Sequence, residues 1–216
     1  MSAPAAFDRL AAHYDELWTD TPVGRAQRNA VWRAVDRLFR AGDRILDIGC
    51  GTGEDAAHFA SRGVFVHAID TSAAMVEQAR RRGGFSVEVG RAEELARMEG
   101  VYDGALSNFG ALNCVADLGV VARGLAQVVR PGGFVALCIM GRFCAGETLR
   151  YGLRLQFRKA VRRWGGRAES SLGTVWYPTV AQVEAVFTPD FALRRWIGIG
   201  GFRACADHRL LIFVRK

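Results

Sequence analysis

Residues 44–55 hold the densest chemistry in the chain. Arg44-Ile45-Leu46-Asp47-Ile48 is a short apolar run with one carboxylate, Gly49-Cys50-Gly51-Thr52-Gly53 alternates three glycines, and Glu54-Asp55 opens an amphipathic stretch. This order reads as a buried strand, a tight turn and a helix N-terminus. Glycines there let a ligand approach the backbone closely. A dinucleotide turn is spaced G-x-G-x-x-G and seats a pyrophosphate on the helix N-terminus. Here the spacing is G-x-G-x-G, and Glu54 stands where the third glycine would fall. Three carboxylates, Asp47, Glu54 and Asp55, would repel a pyrophosphate and suit a ligand carrying an ammonium and a sulfonium. Glu54 and Asp55 also read as ordinary first-turn acids facing the helix dipole. That reading leaves Asp47 unexplained.

A second acid, Asp70, closes the run Val64-Phe65-Val66-His67-Ala68-Ile69. A carboxylate at a strand end can accept both hydroxyls of a ribose. Nicotinamide-dependent oxidoreductases share that device, so Asp70 alone leaves them open. Its local alternative is a helix N-cap, which Thr71 or Ser72 would fill better.

The elements that must position these residues alternate. The spacing predicts strands at 44–48, 64–70, 85–89, 102–107 and 134–140. Between them it predicts helices at 54–62, about 72–82, 93–97 and about 117–130. Two helices, 7–18 and about 25–40, precede the first strand. Beyond the fifth strand a long basic helix is expected over 146–164, then a helix near 179–187. Strands at 191–197 and 209–215 are close enough to pair as a hairpin around Gly200-Gly201. The expected fold is α/β: a Rossmann-like, seven-stranded, mostly parallel sheet with helices on both faces and an antiparallel last strand. One domain over 1–216 suffices, with N-terminal lid helices at 1–40 and an insertion at 142–190 capping the acceptor side.

With 216 residues, half of them hydrophobic, the chain can bury a sizeable core. No run is long enough to span a membrane, and Met1–Ala6 lacks the basic and apolar regions of a signal peptide. The five scattered cysteines include no CxxC and no zinc-like Cys/His spacing, so no metal is expected. Each reads as a small buried hydrophobe in a reducing cytosol, and the localisation expected is cytoplasmic. The net charge of +7 belongs to one segment: between Arg142 and Arg167 eight basic residues face only Glu147, while 21 basic and 21 acidic residues balance elsewhere.

In combination, residues 45–53, Ala68-Ile69-Asp70-Thr71-Ser72 with Met75, Tyr102-Asp103, and Arg130-Pro131-Gly132-Gly133 resemble a class I S-adenosylmethionine-dependent methyltransferase. Phe7-Asp8 with Ala11, Tyr14 and Asp15 resembles the lid helix of small-molecule members, including the quinone-biosynthesis type. The resemblance covers about residues 7–140. It implies S-adenosylmethionine as cofactor. Asp47 and the backbone of Gly49, Gly51 and Gly53 would hold the methionine moiety, and Asp70 the ribose. Thr71 and Met75 would lie against the adenine edge. Members often read Gly-Asp/Asn-Ala after the third strand, whereas Gly90-Arg91-Ala92-Glu93 stands here. Arg91 cannot accept the adenine amine's hydrogen bond, so only the Ala92 backbone and Glu93 carry over. Asn108 and Phe109 follow the fourth strand, where the family lines the methyl donor. Tyr14 and Trp18 would close over the cofactor.

Methyl transfer is an in-line displacement that needs a general base only when the acceptor must lose a proton. No pattern marks one. His13, Tyr14, Asn113, Tyr177 and His208 fall in lid or loop positions and are the candidates, while His58 and His67 read as structural. Residues 108–114 lack the Asn-Pro-Pro-Tyr or Asp-Pro-Pro-Tyr run of amino-methylating nucleic-acid enzymes, and Cys114 lacks a Pro-Cys setting. The expected partner is a small or lipophilic acceptor, methylated at O, N, C or S. In the basic helix, Arg150, Arg154, Arg158 and Arg162 repeat every four residues beside Leu149, Leu153, Phe157, Val161 and Trp164. Three readings stay open: a cover with a solvated basic face, a helix on an anionic membrane surface, and a patch for RNA or a phosphorylated substrate. Aromatic interleaving is thin, which ranks nucleic acid last. A non-catalytic protein of this fold, binding a membrane or partner through the helix, is the remaining alternative.

Overall fold

A computed structural model describes residues 3–171, 173–201 and 205–216. The N-terminal segment comprises helix α1 (Ala3–Leu10), a 3-10 turn at Ala11–His13, a π-helical turn at Asp15–Thr19 and helix α2 (Pro22–Val35). The single helix expected at 7–18 is therefore three short pieces. α2 starts three residues early because Thr21 caps it, with Pro22 in its first turn. Then follow β1 (Arg44–Ile48), α3 (Glu54–Ala60), β2 (Phe65–Asp70), α4 (Ala73–Arg82), β3 (Ser86–Val89), a 3-10 turn at Ala92–Arg97, and β4 (Tyr102–Ser107). A further 3-10 turn at Ala111–Cys114 leads to α5 (Leu118–Val128) and β5 (Val129–Met140). β5 begins five residues earlier than expected: Val129 pairs with Tyr102, and the register shifts before Gly104 pairs with Phe134.

The long basic helix is absent. Its place is taken by α6 (Ala145–Leu153) and the single turn α7 (Phe157–Ala160), separated by Leu155 at φ 56°. Two strands not expected from the sequence follow, β6 (Arg167–Ser170) and β7 (Gly173–Trp176), paired antiparallel. The chain ends with α8 (Val180–Phe187), β8 (Phe191–Ile199) and β9 (His208–Arg215). β8 and β9 pair antiparallel as expected, although part of their connection lies outside the described residues.

The main sheet has the order β3-β2-β1-β4-β5-β9-β8. β1 to β5 are parallel and β9 runs against its neighbours. The order reverses between β1 and β4, and ligands in such sheets sit beyond the strand C-termini at that point. Because β9 is antiparallel, its first residue, His208, lies opposite Met140 at the same end of the sheet.

Side-chain alternation sorts the core into two layers. From β1, Leu46 and Ile48 join Leu125, Val183 and Phe187 on the α5 and α8 face. Ile45 packs with Val31, Val35 and Phe59 on the α2 and α3 face. Period two puts Asp47 on that second face, toward α2 and α3. Cys138 and Cys144 are buried, Cys50 and Cys114 half-buried and Cys205 exposed, so the buried-hydrophobe reading fails for Cys205.

Asn113 ties the insertion to the sheet. Its side-chain N–H groups donate to the carbonyls of Met140, at 2.9 Å, and Trp176, and its oxygen accepts the Met140 N–H at 2.8 Å. Asn113→Ala leaves three part-buried backbone groups without this partner, and urea unfolding should show a loss of about 2–3 kcal/mol. An unchanged midpoint would contradict this role.

Candidate active site

The glycine turn follows β1 and forms the floor beneath the N-terminal segment. Gly49 has φ 71°, and a Cβ there would come within 2.3 Å of Ala111 Cβ. Gly53 has φ 81°, and a Cβ would meet the Phe85 ring at 2.6 Å. Both positions therefore demand glycine on conformational and steric grounds. Gly51 faces upward, and a Cβ on it would lie 4.0 Å from the Tyr14 ring.

The N-terminal segment is clamped over this floor. Asp8 accepts from Ser72 Oγ at 2.6 Å and from the Ala74 N–H at 3.2 Å. Asp15 accepts from Thr52 Oγ1 at 2.7 Å and from Arg82. Tyr14 sits between these two acids, and burial in particular holds its phenol above the ordinary value and so protonated.

The carboxylates are not the open ring expected from the sequence. Glu54 is bound by Arg25 and Arg82. Asp55 accepts from Arg28, from Trp32 Nε1 at 2.7 Å and from Asn108 Nδ2 at 3.1 Å. Both acids are spent on internal cations. Asp47 is different: it is 2% exposed, and its Oδ2 has no hydrogen-bond partner. Burial, then the nearby Asp55 and Asp70, push its carboxyl well above the usual range, against Arg28 and the Ala56 N–H. Beside it, Arg28 is also buried, and its Nε has no partner. An unsatisfied carboxylate oxygen and an unsatisfied guanidinium nitrogen thus share one buried region. Sequence reasoning missed Arg28, as well as Arg25 and Arg82. The available signal was the polar residue amid the apolar positions of α2.

Asp70 bridges the turn and the end of β2. Its oxygens accept the N–H groups of Gly51 and Ser72, each at 2.9 Å. Burial raises its pKa, and those backbone donors oppose the rise. Thr71 lies beside it, half-buried. Met75 is fully buried in the first turn of α4, and Ala92 is buried next to Glu93, which pairs with Arg91 at 3.1 Å. Asn108 is buried against Asp55, and Phe109 (φ 47°) presents its ring to Arg28 at 4.8 Å and to His208 at 5.4 Å, edge-on. His208 Nδ1 is buried without a partner, and burial lowers the imidazole's pKa to about 4. It is neutral at ordinary pH.

Other candidates do not gather here. Trp18 is 57% exposed. His13 is exposed beside Glu16. Asn113 is committed to backbone groups. Tyr177 is buried under Arg163, whose guanidinium lies 5.2 Å from its ring centre. His58 and His67 are satisfied structurally, by Asp36 at 2.7 Å and by Tyr102 at 2.6 Å respectively.

Comparison with known proteins places the chain in a family. Residues 45–133 match a family model described as a methyltransferase domain. The demethylmenaquinone methyltransferase of Thermobifida fusca is 34% identical over 217 residues, covering 95% of this chain and 88% of its own. The chain belongs to the class I S-adenosylmethionine-dependent methyltransferases. The namesake from Clavibacter sepedonicus is 36% identical over 140 residues, 62% of this chain, and the match spans only 56% of that relative's length. In fold, the N-methyltransferase NodS from Bradyrhizobium japonicum, solved with S-adenosyl-L-homocysteine, has a TM-score of 0.69 at 16% identity, covering 100% of this chain and 99% of its own. The oxidoreductase alternative gains nothing from these relatives, all named as methyltransferases.

A raised folded-state pKa for Asp47 means that its ionised form costs stability once pH exceeds the unfolded carboxylate value. Asp47→Asn should therefore raise the melting temperature of the ligand-free protein near neutrality, by about 1–3 kcal/mol of stability. The gain should shrink as pH falls. A lower melting temperature at neutral pH would show that Asp47 is already satisfied.

Proposed function

We propose that the chain transfers a methyl group from S-adenosylmethionine to a small lipophilic ring acceptor of the kind named for its demethylmenaquinone methyltransferase relatives. The observation that carries this is the unsatisfied pair of Asp47 Oδ2 and Arg28 Nε below Tyr14. An amino-acid terminus bears one ammonium and one carboxylate, which match those two atoms in sign. The backbone of Gly49, Gly51 and Gly53 would lie along the same end of the ligand. Asp70, with its oxygens fixed by two N–H groups, retains acceptor capacity for ribose hydroxyls. Thr71, Met75, Ala92 and Glu93 would border the base, Asn108 and Phe109 the reacting end. Tyr14 would close the top, while Trp18 would join it only by moving inward.

The bound donor supplies a methyl carbon on a sulfonium leaving group. The protein's own part is alignment and water exclusion, which can be worth about 7–11 kcal/mol. The segment 1–40 serves as a lid and 142–190 as the acceptor-side cap. His208, edge-on to the Phe109 ring, would face the acceptor. With a pKa near 4 it is a weak base but a constant hydrogen-bond acceptor, suited to orienting a ring hydroxyl through Nδ1. His13, Asn113 and Tyr177 have no role in this reading. Free thiols fit a cytosolic setting.

The test is transfer of a labelled methyl group from S-adenosylmethionine to detergent-dispersed demethylmenaquinone. Label in the quinone fraction is expected, and its absence with this and other ring acceptors would overturn the reading. His208→Ala should lower kcat/KM for the acceptor about tenfold without changing the affinity for S-adenosylhomocysteine. The wild-type rate should carry no titration of His208 near neutrality.

A further inference from the structure

The segment that replaces the expected basic helix is poorly buried. Leu153 and Leu155 are each 77% exposed, and Leu149, Phe157 and Trp164 are also exposed. α6 has no buried residue at all. Among these side chains stand Arg150, Arg154, Arg158 and Lys159, all exposed. The segment's one acid, Glu147, is taken up by Arg162 and Arg163. The surface that remains is apolar and purely cationic.

Leu155 makes the exposure more telling. Its φ of 56° is a conformation that glycine adopts without strain and leucine does not. The kink it creates leaves an open hollow of about 320 Å³ lined by Leu155, Gln156, Phe157, Arg158 and Lys159. Here the chain carries backbone strain and exposed apolar surface together, and neither serves the core.

We propose that residues 149–164 dock on an anionic lipid bilayer, the leucines and Phe157 entering the headgroup–acyl boundary and the arginines meeting lipid phosphates. Large apolar side chains with flanking arginine or lysine are the composition of interfacial segments, and each such cation near an anionic surface adds to the attraction. A second copy of this chain fits poorly, because a two-fold contact would set these cations against themselves. No helix among the described residues is long and apolar enough to cross a membrane, so the contact is peripheral. The docked face adjoins the acceptor side: Glu147 holds Arg163, which lies over Tyr177 and contributes to the field at His208. A lipophilic acceptor would then enter from the bilayer without crossing water. That last step rests on the proposed methyl transfer, whereas the docking does not.

The experiment is co-sedimentation of the full chain with vesicles of phosphatidylcholine alone and of an equimolar mixture with phosphatidylglycerol. Binding is expected to the mixed vesicles and to weaken with salt. Leu153→Ser, Leu155→Ser and Phe157→Ser together should lower the partition constant at least about tenfold. Arg150→Gln, Arg154→Gln and Arg158→Gln together, all at exposed positions, should lower it on the order of a hundredfold. Calorimetry with S-adenosylhomocysteine on the same samples reports folding, and its failure in the wild type would count against the methyl-donor site alone. Equal sedimentation with and without phosphatidylglycerol, charge variants that bind as the wild type does, or single-stranded RNA binding more tightly than the vesicles would overturn the proposal.

Discussion

The structure hinges on a carboxylate that is almost entirely enclosed. Asp55 is the second residue of α3, in the first turn after the glycines, and it is met by Arg28 and Trp32 from α2 and by Asn108 from the end of β4. Three side chains from two separate stretches converge on two oxygens. Burying such a pair yields little net stability, but removing one member strands the other and costs about 3–5 kcal/mol. Asp55 offsets the burial of Arg28 and holds its guanidinium pKa above the ordinary value. The contact fixes how the N-terminal segment meets the sheet, and hence where Tyr14 sits over the turn.

That constraint also sets the charge inside the cleft. With Glu54 and Asp55 neutralised by Arg25, Arg82 and Arg28, the field at the turn is not the strongly negative one that the acids alone suggest. What remains is local and bipolar: one free carboxylate oxygen on Asp47 and one free guanidinium nitrogen on Arg28. Under the proposed donor site, that remainder would favour a zwitterionic end over a simple cation. Asp47 reaches this face because strand alternation turns it toward α2 while Leu46 and Ile48 turn toward α5.

Much of this was legible in the sequence. Apolar runs bounded by glycine and acid placed the five parallel strands, and the spacing of Asp47, the glycines and Asp70 singled out the turn at the end of β1 and the end of β2. Such features are local, and periodicity reports them well. Arg28 was not legible because its partner lies 27 residues away, and nothing in a helix pattern shows which side chain will cross to another element. The four-residue repeat of arginines favoured a helix to residue 164. An isolated helix needs tertiary packing on its apolar face, and here Leu149, Leu153 and Phe157 stay exposed, in keeping with a chain that breaks at Leu155 and continues as a single turn. β6 and β7 are four residues each, too short to leave a period. Asn113 looked like a loop polar group, yet its three backbone partners come from elements far along the chain.

The central claim is that the cleft recognises the charged amino-acid end of the methyl donor through Asp47 and Arg28. The most direct measurement compares, by calorimetry, S-adenosylhomocysteine with 5′-methylthioadenosine, which keeps the nucleoside and lacks the ammonium and carboxylate. The account predicts much tighter binding of S-adenosylhomocysteine, with the gap largely closed in Asp47→Ala. Equal affinities for the two ligands in the wild type, or a gap untouched by the substitution, would contradict it.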